Sequence, residues 1–240
     1  MNELSDIASP APAVPEVRPA PDAKSPAVAF FDLDGTLVVG QTTLLLVGFL
    51  QRIGVVSKAF VIGTGLWFLG HKAGLIKVTE RSREKGAGVF RGLTESEVEE
   101  LMARFTNEVM EPRFHPAATA ALAEHLAEHD RVMVVSAALD PVVAAVCRRL
   151  GVADYVGTPC EVVDGSYTGH LTGPSPHAAE KVRFAEDYMK RWGADASECW
   201  AYADHGTDLA LLQSVGHPVA VNPRPALREA AEQAGWPILP

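Results

Sequence analysis

Four short apolar runs, each stopping at a polar residue, recur along this chain with helical segments between them, and that alternation limits the folds open to it. The runs are VAFFDL (28–33), RVMVVS (131–136), CWAYAD (199–204) and PVAVN (218–222). Continuous apolarity over so few residues suits strands buried on both faces, as in a parallel sheet. Between them, residues 117–129 follow an Ala-rich helical pattern, and Asp140-Pro141 opens a helix that ends before Gly151. Ser175-Pro176 opens another running to about Trp192, a short helix covers 208–214, and a last one starts at Pro225. EVV, Asp164-Gly165 and SYTGHL together carry the turn chemistry of a β-hairpin. The expected class is α/β, a three-layer Rossmann-like core with a mostly parallel sheet. Functional residues in such sheets stand at the carboxyl ends of strands.

Two regions break the alternation. Residues 1–26 hold six prolines and no periodic apolar pattern, so they are expected to form a disordered tail. Residues 41–111 contain no convincing strand, and Thr94 with Glu97 forms a capping box before an amphipathic helix. This block is expected to be a helical cap inserted into a core made of residues 27–40 and 112–240. Its run AFVIGTGLWFLG (59–70) has 12 residues, too few to span a bilayer. It reads first as a buried core helix, and second as a surface that touches a membrane or a hydrophobic substrate.

Charge narrows the partners. With 21 Lys+Arg against 30 Asp+Glu, the formal net charge is -9. No basic excess exists to neutralise a nucleic-acid backbone, whereas a small phosphorylated ligand needs only a few local cations. Cys147, Cys160 and Cys199 are too few and too scattered for a disulfide framework or a zinc cluster. The first residues lack the apolar segment of a secretory leader. The cytoplasm is the expected compartment.

Four polar clusters end the predicted strands or open the next helix. Asp32 and Asp34, two apart, point to one side of the first strand's end, with Gly35 allowing a sharp exit and Thr36 able to bond the loop. Two adjacent carboxylates repel, which a dedicated cation or a proton-transfer role would explain. Ser136, followed by Ala137 and Ala138, can offer a hydroxyl and an amide to an anion. Lys181 lies in the first turns of its helix, where a cation opposes the helix dipole unless a bound anion needs it. Asp204 and Asp208 flank Gly206, and carboxylates around such a turn can converge on a hard cation.

In this order, with a helical block after the first cluster, the chain resembles the haloacid dehalogenase-like hydrolases over about residues 27–240, in the branch containing phosphoserine phosphatase. The resemblance implies Asp32 as the nucleophile that forms an aspartyl-phosphate and Asp34 as general acid and base. It implies Ser136, the Ala137 amide and Lys181 as the phosphate clamp. It implies Mg²⁺ as cofactor, held by Asp32, the Asp34 carbonyl and Asp204 with Asp208 in support. Asp34 separates the chain from the dehalogenases of the same fold, which lack the second acid and the metal. The implied partner is a small or lipid-derived phosphorylated substrate, with no nucleic acid, no membrane span, and peripheral membrane contact left open by the apolar run.

Departures bear on the substrate. Phosphoserine phosphatases carry a glutamate beyond the first motif that binds the substrate's amine, where this chain offers Gln41. His205 stands where a serine is common. Cap arginines Arg81, Arg83 and Arg91 could meet a carboxylate or second phosphate. Phosphoserine phosphatase proper and a phosphotransferase on the same fold are the alternatives. A zinc hydrolase reading of His125-x-x-Glu128-His129 fits a known string, but a solvated helix face accounts for it better.

Overall fold

The computed structural model describes residues 27–73, 75, 86–128 and 131–240. The proline-rich tail lies outside them. Six strands form one parallel sheet: β1 (Val28–Phe31), β2 (Arg131–Leu139), β3 (Asp154–Thr158), β6 (Trp200–Ala203), β7 (His217–Val221) and β8 (Ile238–Leu239), ordered β3-β2-β1-β6-β7-β8. Strands β4 (Cys160–Val163) and β5 (Ser166–Leu171) make a separate antiparallel hairpin. Asp164 and Gly165 turn it with φ of 50° and 73°, as a two-residue hairpin turn requires.

Because strand side chains alternate, β1 feeds two apolar layers. Ala29 and Phe31 join a cluster with α4 (Pro116–Ala127) and α5 (Asp140–Leu150) on one face. Val28 and Phe30 join another with α6 (Ala179–Trp192), α7 (Leu209–Gln213) and α8 (Pro225–Ala234). Helices on both faces complete the three layers.

Between β1 and β2 stand α1 (Thr42–Arg52), α2 (Lys58–Lys72) and α3 (Glu95–Phe105). Both bonds of the Thr94–Glu97 capping box are made at the start of α3. One wide π turn (Thr106–Met110) then leads to a 3₁₀ turn (Glu111–Arg113) and back to the sheet. The outgoing and returning chains run side by side: Val39 N donates to Arg113 O at 2.8 Å and His115 N to Leu37 O at 2.9 Å. The inserted block shares its apolar core with the sheet, since Phe49, Phe90, Met102 and Phe105 lie in the same cluster as Phe31. The β4–β5 hairpin also attaches to this block, with Gly92 N donating to Tyr167 O and Tyr167 N to Leu93 O, both at 2.8 Å.

Two expectations need correction. Helix α6 starts at Ala179 rather than at Ser175, because residues 175–178 form a loop in which Ala178 takes φ 51°. The apolar run in α2 is not a buried core helix. Ile62, Leu66 and Leu69 are more than three-fifths exposed, and only part of the helix meets α1. Among the described residues no helix is long and apolar enough to cross a membrane.

Candidate active site

The carboxyl ends of β2, β1 and β6 lie side by side, and the sequence reverses direction between β1 and β6, where such sheets open a crevice. Asp32 follows β1 directly, its amide bonded to Tyr202 O of β6 at 3.0 Å, and Asp204 follows β6. Asp32, Asp204 and Asp208 each bring a carboxylate oxygen within 4.8 Å of the others, and all three are buried.

Lys181 reaches this cluster from the first turn of α6. Its Nζ donates to Asp32 Oδ1 at 2.7 Å and to Asp208 Oδ2 at 3.0 Å. Burial alone would lower the lysine's pKa, but the two carboxylates outweigh it and hold the ammonium above its ordinary value. Burial pushes the Asp32 carboxyl up, Asp208 adds to that, and Lys181 pulls it back. Asp208 thus serves Lys181 as directly as it faces any cation.

Asp204 is held from another side. Arg224 Nε donates to its Oδ2 at 3.2 Å, and the Arg224 amide donates to its carbonyl at 2.9 Å. Burial first, then Asp32, raises the Asp204 carboxyl, against the pull of Arg224. Gly35 leaves β1 with φ 91°, and a Cβ built on it would stand 2.3 Å from Asp204 Oδ2. Only glycine allows this acid so close to the backbone. Three buried carboxylates against one buried ammonium and one exposed guanidinium leave excess negative charge, and an all-oxygen donor set suits a hard cation.

Asp34 lies two residues past Asp32 and turns to the inserted block. Its Oδ1 accepts from the Thr42 amide, the first residue of α1, at 2.7 Å. Although part of the residue meets solvent, crowding by protein raises its carboxyl to about 7, with the Thr42 amide opposing and Asp32 adding. Gln41, just before this amide, is half-buried and makes no side-chain capping bond. Thr36 was expected to bond the loop; instead its Oγ1 is buried with no hydrogen-bond partner.

Ser136 is buried where the β2–β3 register shifts, between Val135 and Leu139. Such a bulge re-aims a strand end. Its Oγ accepts from Ala138 N at 3.2 Å, while Ala137 is exposed. A brace absent from the sequence reading holds this end: Thr158 Oγ1 contacts Ala137 O and Ser175 Oγ, each at 2.8 Å. Nothing local in the sequence marks Thr158 or Arg224 for these positions, since both act through strands brought together by the fold.

His205 caps the turn after β6, its Nδ1 near the Thr207 amide and hydroxyl, and burial followed by Arg224 lowers its pKa. Arg91 lies against Gly169 of β5, and Arg81 and Arg83 lie outside the described residues. His125 does not stand on a solvated helix face. It is buried, with Nε2 2.9 Å from Tyr202 Oη and its ring 6.2 Å from Phe31. His129 lies outside the described residues.

A family model described as haloacid dehalogenase-like hydrolase matches residues 29–213. A Streptomyces azureus protein named for inhibition of morphological differentiation is 33% identical, over 88% of this chain and 77% of its own length. A phosphoserine phosphatase of Mycobacterium tuberculosis is 29% identical, over 88% of this chain and 70% of its own length. A Bordetella pertussis protein of unknown function has a solved structure that superposes with a TM-score of 0.81 at 27% identity, covering 90% of this chain and 99% of that one.

Proposed function

Since this chain belongs to the haloacid dehalogenase-like hydrolases, in the branch that contains phosphoserine phosphatase, and is a phosphatase, we propose that it hydrolyses a phosphomonoester through an aspartyl-phosphate on Asp32 with Mg²⁺ as cofactor. The observation that carries this reading is the division of labour between two acids two residues apart. Asp32 is gripped by Lys181, while Asp34 accepts a hydrogen bond from the Thr42 amide and burial, against that bond, raises its carboxyl to about 7.

Asp32, Asp204 and the Asp34 carbonyl would hold Mg²⁺, supported by Asp208. When bound, the cation would offset the repulsion between the attacking carboxylate and a phosphate dianion. Lys181, the Ser136 hydroxyl and the Ala137 amide would take the phosphoryl oxygens. An Asp32 oxygen attacks phosphorus and the ester P–O bond breaks. Protonated Asp34 gives its proton to the leaving alkoxide, and a pKa near 7 keeps both of its forms available. Asp34, now a carboxylate, takes a proton from water as that oxygen attacks the phosphoaspartate. The P–O bond to Asp32 breaks, freeing inorganic phosphate and the Asp32 carboxylate.

We assign residues 27–40 and 112–240 to the catalytic core and 41–111 to a cap, a division supported by the paired crossing at 37–39 and 113–115. The substrate is a small or lipid-derived phosphorylated metabolite handled in the cytoplasm. Gln41 carries no charge for an amine, which favours a substrate other than phosphoserine. A panel of phosphomonoesters assayed with Mg²⁺ tests the reading: turnover of at least one, lost in excess chelator, is expected. Full activity in chelator would refute the cofactor assignment. Phosphate appearing on an added alcohol instead of in solution would reassign the chain as a phosphotransferase.

A further inference from the structure

A helix apolar around its whole circumference belongs in a protein core or in lipid. Helix α2 (KAFVIGTGLWFLGHK) is of that kind, yet protein covers only part of it. Ile62, Leu66 and Leu69 are 63%, 64% and 64% exposed. Their spacing of four and three residues puts them on one side of the helix, with exposed Lys58 one turn before them. Leu75, just beyond, is 83% exposed. Single exposed apolar residues are ordinary, but a row of this kind marks an interaction surface.

The distribution of charge says what covers it. Residues 41–94 contain eight Lys and Arg and two Glu, an excess of six positive charges, in a chain whose formal net charge is -9. The stretch of sequence that carries the apolar row is therefore cationic, whereas residues 95–111 of the same inserted block hold six Glu against one Arg, and the chain from residue 95 onward is acidic. We propose that α2 docks this protein onto the surface of an anionic lipid bilayer, lying in the interfacial plane with Ile62, Leu66 and Leu69 in the headgroup–acyl boundary. Apolar insertion combined with attraction to anionic headgroups is how interfacial helices bind. The acidic chain from residue 95 onward is repelled by the same surface, which turns α2 toward lipid. A second copy fits the row less well, because a two-fold contact through α2 would set two cationic stretches against each other. The proposal stands independently of the reaction assigned above.

Co-sedimentation of the full chain with vesicles tests it, using phosphatidylcholine alone or mixed with phosphatidylglycerol. Binding is expected to the mixed vesicles, and to fall at high salt as the charges are screened. The triple variant I62S/L66S/L69S should bind at least about tenfold more weakly, and L66S alone several-fold more weakly. The melting temperature of L66S should stay unchanged, because the residue is exposed. Val163→Ser, which removes an exposed apolar residue on the hairpin, should bind as the parent does. Three results would overturn the proposal: no binding by the parent, equal binding to neutral vesicles, or full binding by the triple variant. A parent dimer that the same substitutions convert to monomers, with no vesicle binding, would assign the row to a second copy instead.

Discussion

Lys181 Nζ stands 2.7 Å from Asp32 Oδ1, joining the first turn of α6 to the end of β1 in the interior of the protein. Asp208, 3.0 Å away on the other side, completes a buried acid–base–acid triplet. Removing one member of a buried ionic cluster leaves an uncompensated charge, which costs about 3–5 kcal/mol. Lys181→Met should lower stability by about that amount in urea unfolding, and D208N added to it should recover part of the loss. Equal unfolding midpoints for the parent and Lys181→Met would show that the triplet does not hold the fold together.

Gly35→Ala should damage the site more than its size suggests. The new Cβ meets Asp204 Oδ2, and φ 91° is itself unfavourable for alanine, by about 1–2 kcal/mol. Asp204 must shift, so Mg²⁺ affinity measured by calorimetry should fall at least about tenfold along with turnover. Unchanged affinity and turnover would place Asp204 outside the cation site.

His125→Ala separates a core histidine from a metal ligand. The substitution removes the contact with Tyr202 Oη and opens a gap beside Phe31 and Trp200. It should cost about 1–3 kcal/mol in unfolding experiments and leave kcat within about twofold at temperatures where the protein is folded. Loss of activity with stability intact would revive a catalytic role for this helix.

The strand ends that carry the chemistry were readable because their signals are local: Asp32 after VAFF, Ser136 after VMVV and Asp204 after WAYA. Pro141 and Gly151 likewise mark a helix, the glycine capping it just past Leu150 with φ 74°. Strand β3 was not readable. Asp-Tyr-Val-Gly-Thr has a weak strand pattern, and Gly157 is needed there because a Cβ would come within 2.7 Å of the Asp140 Cα in α5. The pairing of Leu93 with Tyr167 depends on the hairpin folding back onto the inserted block. Exposure of α2 is not legible for a similar reason: an apolar pattern records what a helix prefers to touch, and only the fold decides what is there to touch it. The interior position of His125 follows from Tyr202 on a distant strand.

Trapping of the phosphoenzyme tests the central claim most directly. An aryl phosphate, whose leaving group hardly needs a proton, is mixed with the enzyme, quenched in acid and the protein mapped by peptide mass. Asp34→Asn should turn over about 10²–10⁴-fold more slowly than the parent and accumulate phosphate on the peptide containing Asp32, because breakdown lacks its base. Asp32→Asn should form no phosphoenzyme and show no turnover. Turnover by Asp32→Asn, or phosphate found on a residue other than Asp32, would contradict the assignment of Asp32 as the nucleophile.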